Sequence, residues 1–207
     1  MENNFSKKIK ICVSGAAEMG FLGPQDYEIA KEVGKEIARQ DGIIVTGATT
    51  GFPLWAAKGA KEEKGLSVGF SPATTEREHV ETYRLPLESM DLVIYTGFGY
   101  LGRDLILTRS CDAVLIGPGR IGTIHEFAIS YEDGKPLGIL RGDWDTDEVL
   151  KNIMDKSHRV NENVFFADTP KELVAEAVKR VREQKKDHNY VYRNDDSLGG
   201  KEGERIL

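Results

Sequence analysis

The sequence predicts an α/β protein: a single Rossmann-like three-layer domain built on a doubly wound, mostly parallel sheet of about seven strands. Three observations carry this reading. Short apolar runs alternate with longer segments of helical period along most of the chain. The runs are continuously apolar rather than alternating, which is the pattern of strands covered on both faces. Glycine-rich turns follow several of the runs, where a βα connection must turn tightly. A length of 207 residues suits one domain of this kind.

Each element has its own local reason. Ile9–Ser14 (IKICVS) is the first strand. From Pro24 to Gln40, the residues Tyr27, Ile29, Ala30, Val33, Ile37 and Ala38 share one helical face, and Pro24 suits a first helical turn. Gly42–Thr46 is the second strand, Phe52–Lys64 a helix with Pro53 near its start, and Leu66–Phe70 the third strand. Ser71–Ser89 carries two prolines and much charge and reads as a loop with one short element. Leu92–Thr96 and Ala113–Ile116 are strands separated by a short helix over Gly102–Ser110. Thr123–Tyr131 is helical, Leu137–Leu140 a strand, Thr146–Ser157 a helix, Val164–Ala167 a strand and Pro170–Gln184 a closing helix. The domain is expected over residues 1–185, followed by a polar tail over 186–207 in which Tyr190, Val191 and Tyr192 are candidates to anchor an arm.

Composition removes several classes. Hydrophobic residues make up 40% and charged residues 30%, enough apolar material for a core. Asp plus Glu is 34 against 28 Lys plus Arg, a net charge of -6, which argues against nucleic acid or an anionic membrane surface as partner. The two cysteines, Cys12 and Cys111, form no CxxC pair and read as reduced core thiols. The amino-terminal segment has no long apolar stretch, Gly15 interrupting it, and no run reaches the ~20 apolar residues of a membrane span, so a cytoplasmic location is expected. No group of His, Asp and Glu has metal-ligand spacing, and neither a metal nor another cofactor is expected.

In doubly wound sheets the ligand crevice lies beyond the carboxyl ends of the strands. Four glycine-bearing turns fall there: Ser14-Gly15-Ala16-Ala17, Gly47-Ala48-Thr49-Thr50-Gly51, Gly97-Phe98-Gly99-Tyr100-Leu101-Gly102 and Gly117-Pro118-Gly119-Arg120-Ile121-Gly122-Thr123. Glycine permits close backbone approach, and the helix after each turn offers bare N–H groups to an anion. Together they favour a phosphate, although each turn taken singly is also explained by βα geometry. Residues 97–102 and 117–122 formally match GxGxxG, and Asp143 lies near the position of a ribose-binding acid, so an NAD-dependent oxidoreductase is a rival reading. Thr123-Ile124-His125-Glu126 has the form of a capping box. At the same helix end, loop amides are positioned to hold phosphate while Glu126 addresses a sugar.

Pro118-Gly119-Arg120-Ile121-Gly122-Thr123-Ile124-His125-Glu126 resembles the PGGxGTxxE motif of the LOG (Lonely Guy) phosphoribohydrolases, once misnamed lysine decarboxylases. They belong to a wider Rossmann-like group that includes molybdenum cofactor carrier proteins and the DNA-processing protein A domain. The resemblance covers about residues 9–170. Gly47–Gly51 stands where relatives carry a GGGxxG-like loop, and Arg103 precedes Asp112 as the family's arginine precedes its (S/C)DA strand. The resemblance implies cleavage of the N-glycosidic bond of a nucleoside monophosphate, without cofactor, in a homodimer or higher homo-oligomer. It implies Glu126 and Arg103 as catalytic residues and Gly119, Gly122 and Thr123 as phosphate-binding residues, with Gly117 and Arg120 of the same turn as further phosphate-binding candidates. Ser14, Gly15, Gly47, Thr49, Thr50, Gly51, Gly97 and Gly99 would line the nucleotide cleft. Such chemistry needs negative charge near a developing sugar cation, a proton for the leaving base and a held phosphate.

The sequence departs from that motif at two positions. Arg120 replaces the second glycine and His125 precedes the glutamate. An arginine forced to positive φ would cost about 1 kcal/mol, while its guanidinium clamps phosphate well. The long Ser71–Ser89 segment, with Arg77, His79 and Arg84, is also unlike the compact enzymes and is a candidate lid; His79 alone reads as an ordinary loop histidine. These departures favour an alternative, a non-catalytic carrier or sensor of a phosphorylated ligand such as a nucleotide or the molybdenum cofactor. A third reading, DNA binding, conflicts with the acidic balance.

Overall fold

The computed structural model describes residues 7–17, 20, 22–158 and 160–187. The tail beyond residue 187, with Tyr190–Tyr192, lies outside the described residues. Seven strands form one all-parallel sheet: β1 (Lys10–Ser14), β2 (Ile43–Thr46), β3 (Leu66–Ser71), β4 (Leu92–Tyr95), β5 (Ala113–Ile116), β6 (Leu137–Leu140) and β7 (Val164–Ala167). Six α-helices connect and close them: α1 (Pro24–Arg39), α2 (Gly51–Glu62), α3 (Gly99–Arg109), α4 (Ile121–Glu132), α5 (Thr146–Lys156) and α6 (Pro170–Asp187). The strand order is β4-β3-β2-β1-β5-β6-β7, so the winding reverses between β1 and β5. Ser14 pairs in register with Ile116 at that reversal, and this opens the crevice in which ligands of such sheets sit.

The continuous apolar runs do what two-sided burial requires. Ile11 and Val13 of β1 face a core shared with α1, α2 and α6, whereas Cys12 faces the opposite core with Leu107 of α3, Phe127 of α4 and Leu150 of α5. Cys12 and Cys111 are both buried free thiols. Two-sided burial fails at β4, where Leu92 is 55% and Ile94 38% exposed. This is an edge strand and no helix of the described residues covers its outer face, so its apolar run reads like an interior strand without being one.

Helix starts differ from the sequence expectation in two places that matter for function. α3 begins at Gly99 rather than Gly102, and α4 at Ile121 rather than Thr123. Gly97 and Gly99 adopt φ values of 71° and 62°, which turn the chain into α3 at once. The Ser71–Ser89 segment holds a short π-helical turn over Glu78–Thr82. His79 in that turn is completely buried, with Nε2 donating to the Pro86 carbonyl at 3.1 Å and Nδ1 2.8 Å from Ser71 Oγ. It is therefore the pin of this segment and not the ordinary loop histidine expected. Among the described residues, no helix is long and apolar enough to cross a membrane.

α1 and α2 approach closely because two glycines allow it. A Cβ on Gly34 would stand 1.8 Å from the Ala56 carbonyl oxygen, and one on Gly59 would stand 2.0 Å from the Lys31 carbonyl oxygen. Replacing Gly59 by Ala adds about 1 kcal/mol of intrinsic helix propensity, but the clash is with backbone and overpacking costs about 1–3 kcal/mol. We expect Gly59→Ala to lower Tm by several degrees in a thermal melt; an unchanged or raised Tm would refute this packing.

Candidate functional site

The turns after β1, β2 and β5 meet α3 and α4 around a cavity of about 410 Å³. Of the residues expected to form a site, Gly15, Gly47, Thr49, Arg103, Arg120, Gly122, Thr123 and Glu126 line it. Ser14 lies just behind, donating a short hydrogen bond from Oγ to Glu126 Oε2. The remaining expected residues hold the frame. Gly117 packs on Phe52, whose ring would be 2.5 Å from an added Cβ. Gly51, at φ 68°, lies under the Ala16 carbonyl oxygen, which a Cβ would approach to 2.0 Å. Thr50 donates to the Ala17 carbonyl at 2.7 Å. Gly97 and Gly99 flank the cavity wall without lining it.

Two expectations about the Gly117–Thr123 turn change. The α4 N-cap is Arg120, which places Thr123 and Glu126 too deep in the helix to form a capping box. Arg120 has φ -125°, ψ -147° and makes no side-chain cap bond, so an arginine sits here without left-handed strain. Gly119 is needed for proximity, since a Cβ would fall 2.1 Å from Thr123 Oγ1. Its N–H donates to Thr146 Oγ1 at 2.9 Å, and the Thr146 hydroxyl donates back to the Gly119 carbonyl at 3.0 Å. Gly119 therefore shapes the turn, while the amides of the first turn of α4 stand at the cavity. An added Cβ at Gly122 would meet nothing within 4 Å.

The opposite wall is charged. Arg103 is only 5% exposed and lies directly over Gly47, where an added Cβ would be 1.5 Å from Nη1. Its Nε is 3.1 Å from Asp104 Oδ1 without the alignment of a hydrogen bond, and it has no other acceptor. Nη1 reaches the Phe70 carbonyl at 3.5 Å. Asp104, equally buried, accepts from His125 Nδ1 at 2.9 Å. Burial pushes the Glu126 carboxyl from 4.5 to about 7; Asp104 adds to the rise, while Arg103, the Ser14 hydrogen bond and His125 oppose it. Beneath the site, the hydrogen bond with Cys111 and then burial raise the Cys12 thiol well above its usual range. Among the described residues, no group of three or more His, Cys, Asp or Glu is placed to hold a metal ion.

Sequence reasoning missed Tyr100, Asp104, Ile121 and Pro53 as lining residues. The signal for the first two was the true start of α3: with Gly99 opening the helix, Tyr100 and Asp104 lie one turn apart on the face that carries Arg103. No residue of the Ser71–Ser89 segment lines the cavity, so the segment is not a lid over this pocket.

A Rossmann-like fold with an anion-suited cavity at its winding reversal is that of the LOG-like proteins. More particularly, the model of the SLOG cluster4 family matches residues 8–174, and the chain belongs to that family. An uncharacterized protein of Archaeoglobus fulgidus is 33% identical over 135 residues, 65% of this chain and 82% of its own length. The molybdenum cofactor binding protein of Rippkaea orientalis superposes with a TM-score of 0.67 at 26% identity, over 86% of this chain and 98% of that one. The molybdenum cofactor carrier protein of Chlamydomonas reinhardtii gives a TM-score of 0.68 at 25% identity, over 86% and 99%.

The Glu126 shift has a stability consequence. The folded protein retains a proton that the unfolded chain releases between pH 4.5 and about 7, so stability falls as pH rises through that window. The loss amounts to on the order of 3 kcal/mol. Glu126→Gln keeps an acceptor for Ser14 and should flatten this slope in urea denaturation between pH 4 and pH 8; an unaltered slope would place its origin elsewhere.

Proposed function

We propose that the protein binds a small phosphorylated ligand carrying a planar ring, of the nucleotide or pterin type, and holds it as a carrier or sensor. One observation carries the reading. Two electropositive groups face the same cavity: the first turn of α4, which no N-cap side chain closes, and the buried Arg103 with an Nε that no acceptor satisfies. Arg120 at the rim adds a second guanidinium. The likeness to molybdenum cofactor binding and carrier proteins supports cargo rather than turnover. The net charge of -6 supports a small molecule over nucleic acid.

A hydrolytic reading also has one observation in its favour: a buried carboxyl with a pKa of about 7 is suited to proton transfer near neutral pH. The two readings separate in one experiment, in which AMP and other nucleoside monophosphates are incubated with the protein. A carrier gives a thermal upshift without free base. Accumulation of free base that Glu126→Gln abolishes would replace carrier by phosphoribohydrolase. For binding itself, Arg120→Ala should weaken AMP about tenfold by calorimetry, the loss of one charge-assisted contact; equal affinity would remove Arg120 from the anion site.

We further propose that the self-association implied by the family resemblance runs through α3. This helix is inverted, with Arg103 and Asp104 buried while Leu101 is 72% and Leu105 41% exposed. Phe98, one turn before Leu101, is 67% exposed and extends the same apolar face, of the sort that marks an interface. Leu101→Asp should shift the mass in analytical ultracentrifugation to that of one chain; a wild type that sediments as a single chain would reject the proposal.

A further inference from the structure

The geometry points to Tyr100 as the platform on which the planar ring of the ligand stacks, with Tyr83 setting its inclination. This rests on the binding reading above and specifies which end of the cavity takes which end of the ligand.

Tyr100 is the single aromatic side chain lining the cavity among the described residues, and it is 48% exposed. It stands in the first turn of α3, at the wall opposite the α4 N-terminus. Between them lie the ends of β5, β1 and β2, two strand spacings or about 10 Å. A ligand whose phosphate meets the α4 amides is thus carried across Gly15 and past the Arg103 guanidinium, and its far end arrives at Tyr100. That end of a phosphorylated nucleoside or pterin is its ring, and sequence-tolerant stacking on an aromatic face is how proteins hold such rings.

The ring is also held from outside the cavity. Tyr83 meets Tyr100 edge-on, with centroids 5.4 Å apart and planes at 85°. Tyr83 comes from the Ser71–Ser89 segment, which the His79 contacts to Ser71 and Pro86 secure to the sheet. On the inner side the Arg103 guanidinium carbon lies 5.8 Å from the Tyr100 centroid, so the ring is bracketed by a cation and a second aromatic. The segment that does not cover the pocket therefore reaches it indirectly. Its contribution is to fix the slope of the stacking surface and so to discriminate among rings.

The test uses the full chain and two probes that share phosphate and sugar, AMP and ribose 5-phosphate. With the wild type, calorimetry should show AMP binding about tenfold or more tighter, the gain from one stacked ring. Tyr100→Ala should abolish that difference while leaving ribose 5-phosphate unchanged, Tyr100→Phe should keep it, and Tyr83→Ala should reduce it by about threefold. If ribose 5-phosphate binds and AMP binds no tighter, the platform is wrong while the phosphate site stands. If neither probe nor any other phosphorylated ligand binds, the binding reading itself has failed. A Tyr100→Ala variant that weakens both probes equally, or changes the mass of the particle, would make Tyr100 an ordinary structural or interface residue and overturn the inference.

Discussion

The burial of the Arg103 guanidinium over Gly47 is the constraint on which the site depends. Any side chain at position 47 would occupy the space of Nη1, so the turn after β2 and the helix after β4 fit together only because that residue has no Cβ. Desolvating a guanidinium costs several kcal/mol unless charge and hydrogen bonds compensate it. Here the compensation comes from Asp104 beside it and from the Phe70 carbonyl, while Nε keeps no acceptor. A protein that retains such a group at the reversal of its sheet leaves part of that compensation to an incoming anion.

The same arrangement accounts for the state of Glu126. Two carboxylates and one guanidinium share a poorly solvated space, so one carboxyl is driven toward its neutral form. Asp104 has Arg103 and His125 as close partners, and Glu126 is the carboxyl that burial raises. His125, which departs from the family motif, is thereby part of the balance: its ring holds Asp104 at 2.9 Å, next to the buried Glu126. The Ser14 hydroxyl holds the Glu126 carboxyl toward β1, tying the reversal point of the sheet to the helix that offers its amides.

The outer surface of α3 follows from its inner one. A helix whose buried face holds Arg103, Asp104 and Thr108 beside Leu107 leaves Leu101 and Leu105 on the other side. Leu101 and Leu105 at the surface are the counterpart of the charged pocket, so ligand binding and self-association would be written into opposite faces of one helix.

The sequence by itself determined the layers and the order of elements along the chain, while the place of the reversal came from the strand pairing. Continuous apolar strands, helical periods and glycine turns are local signals, and they place every strand and every α-helix in the observed order. The segment Pro118–Glu126 likewise located four of the lining residues, Arg120, Gly122, Thr123 and Glu126, because a βα turn and its helix are encoded over a few adjacent positions. Only the tertiary structure decided the roles within that set. Thr123 and Glu126 read as a capping box until the helix start moved to Ile121, and Gly119 read as a phosphate ligand until Thr146, 27 residues later in the chain, claimed its amide. Tyr100 and Asp104 were hidden for the same reason. What a side chain faces is set by contacts between segments far apart in sequence, as at Arg103 with Gly47 and His79 with Ser71 and Pro86, and no local pattern records such a pairing.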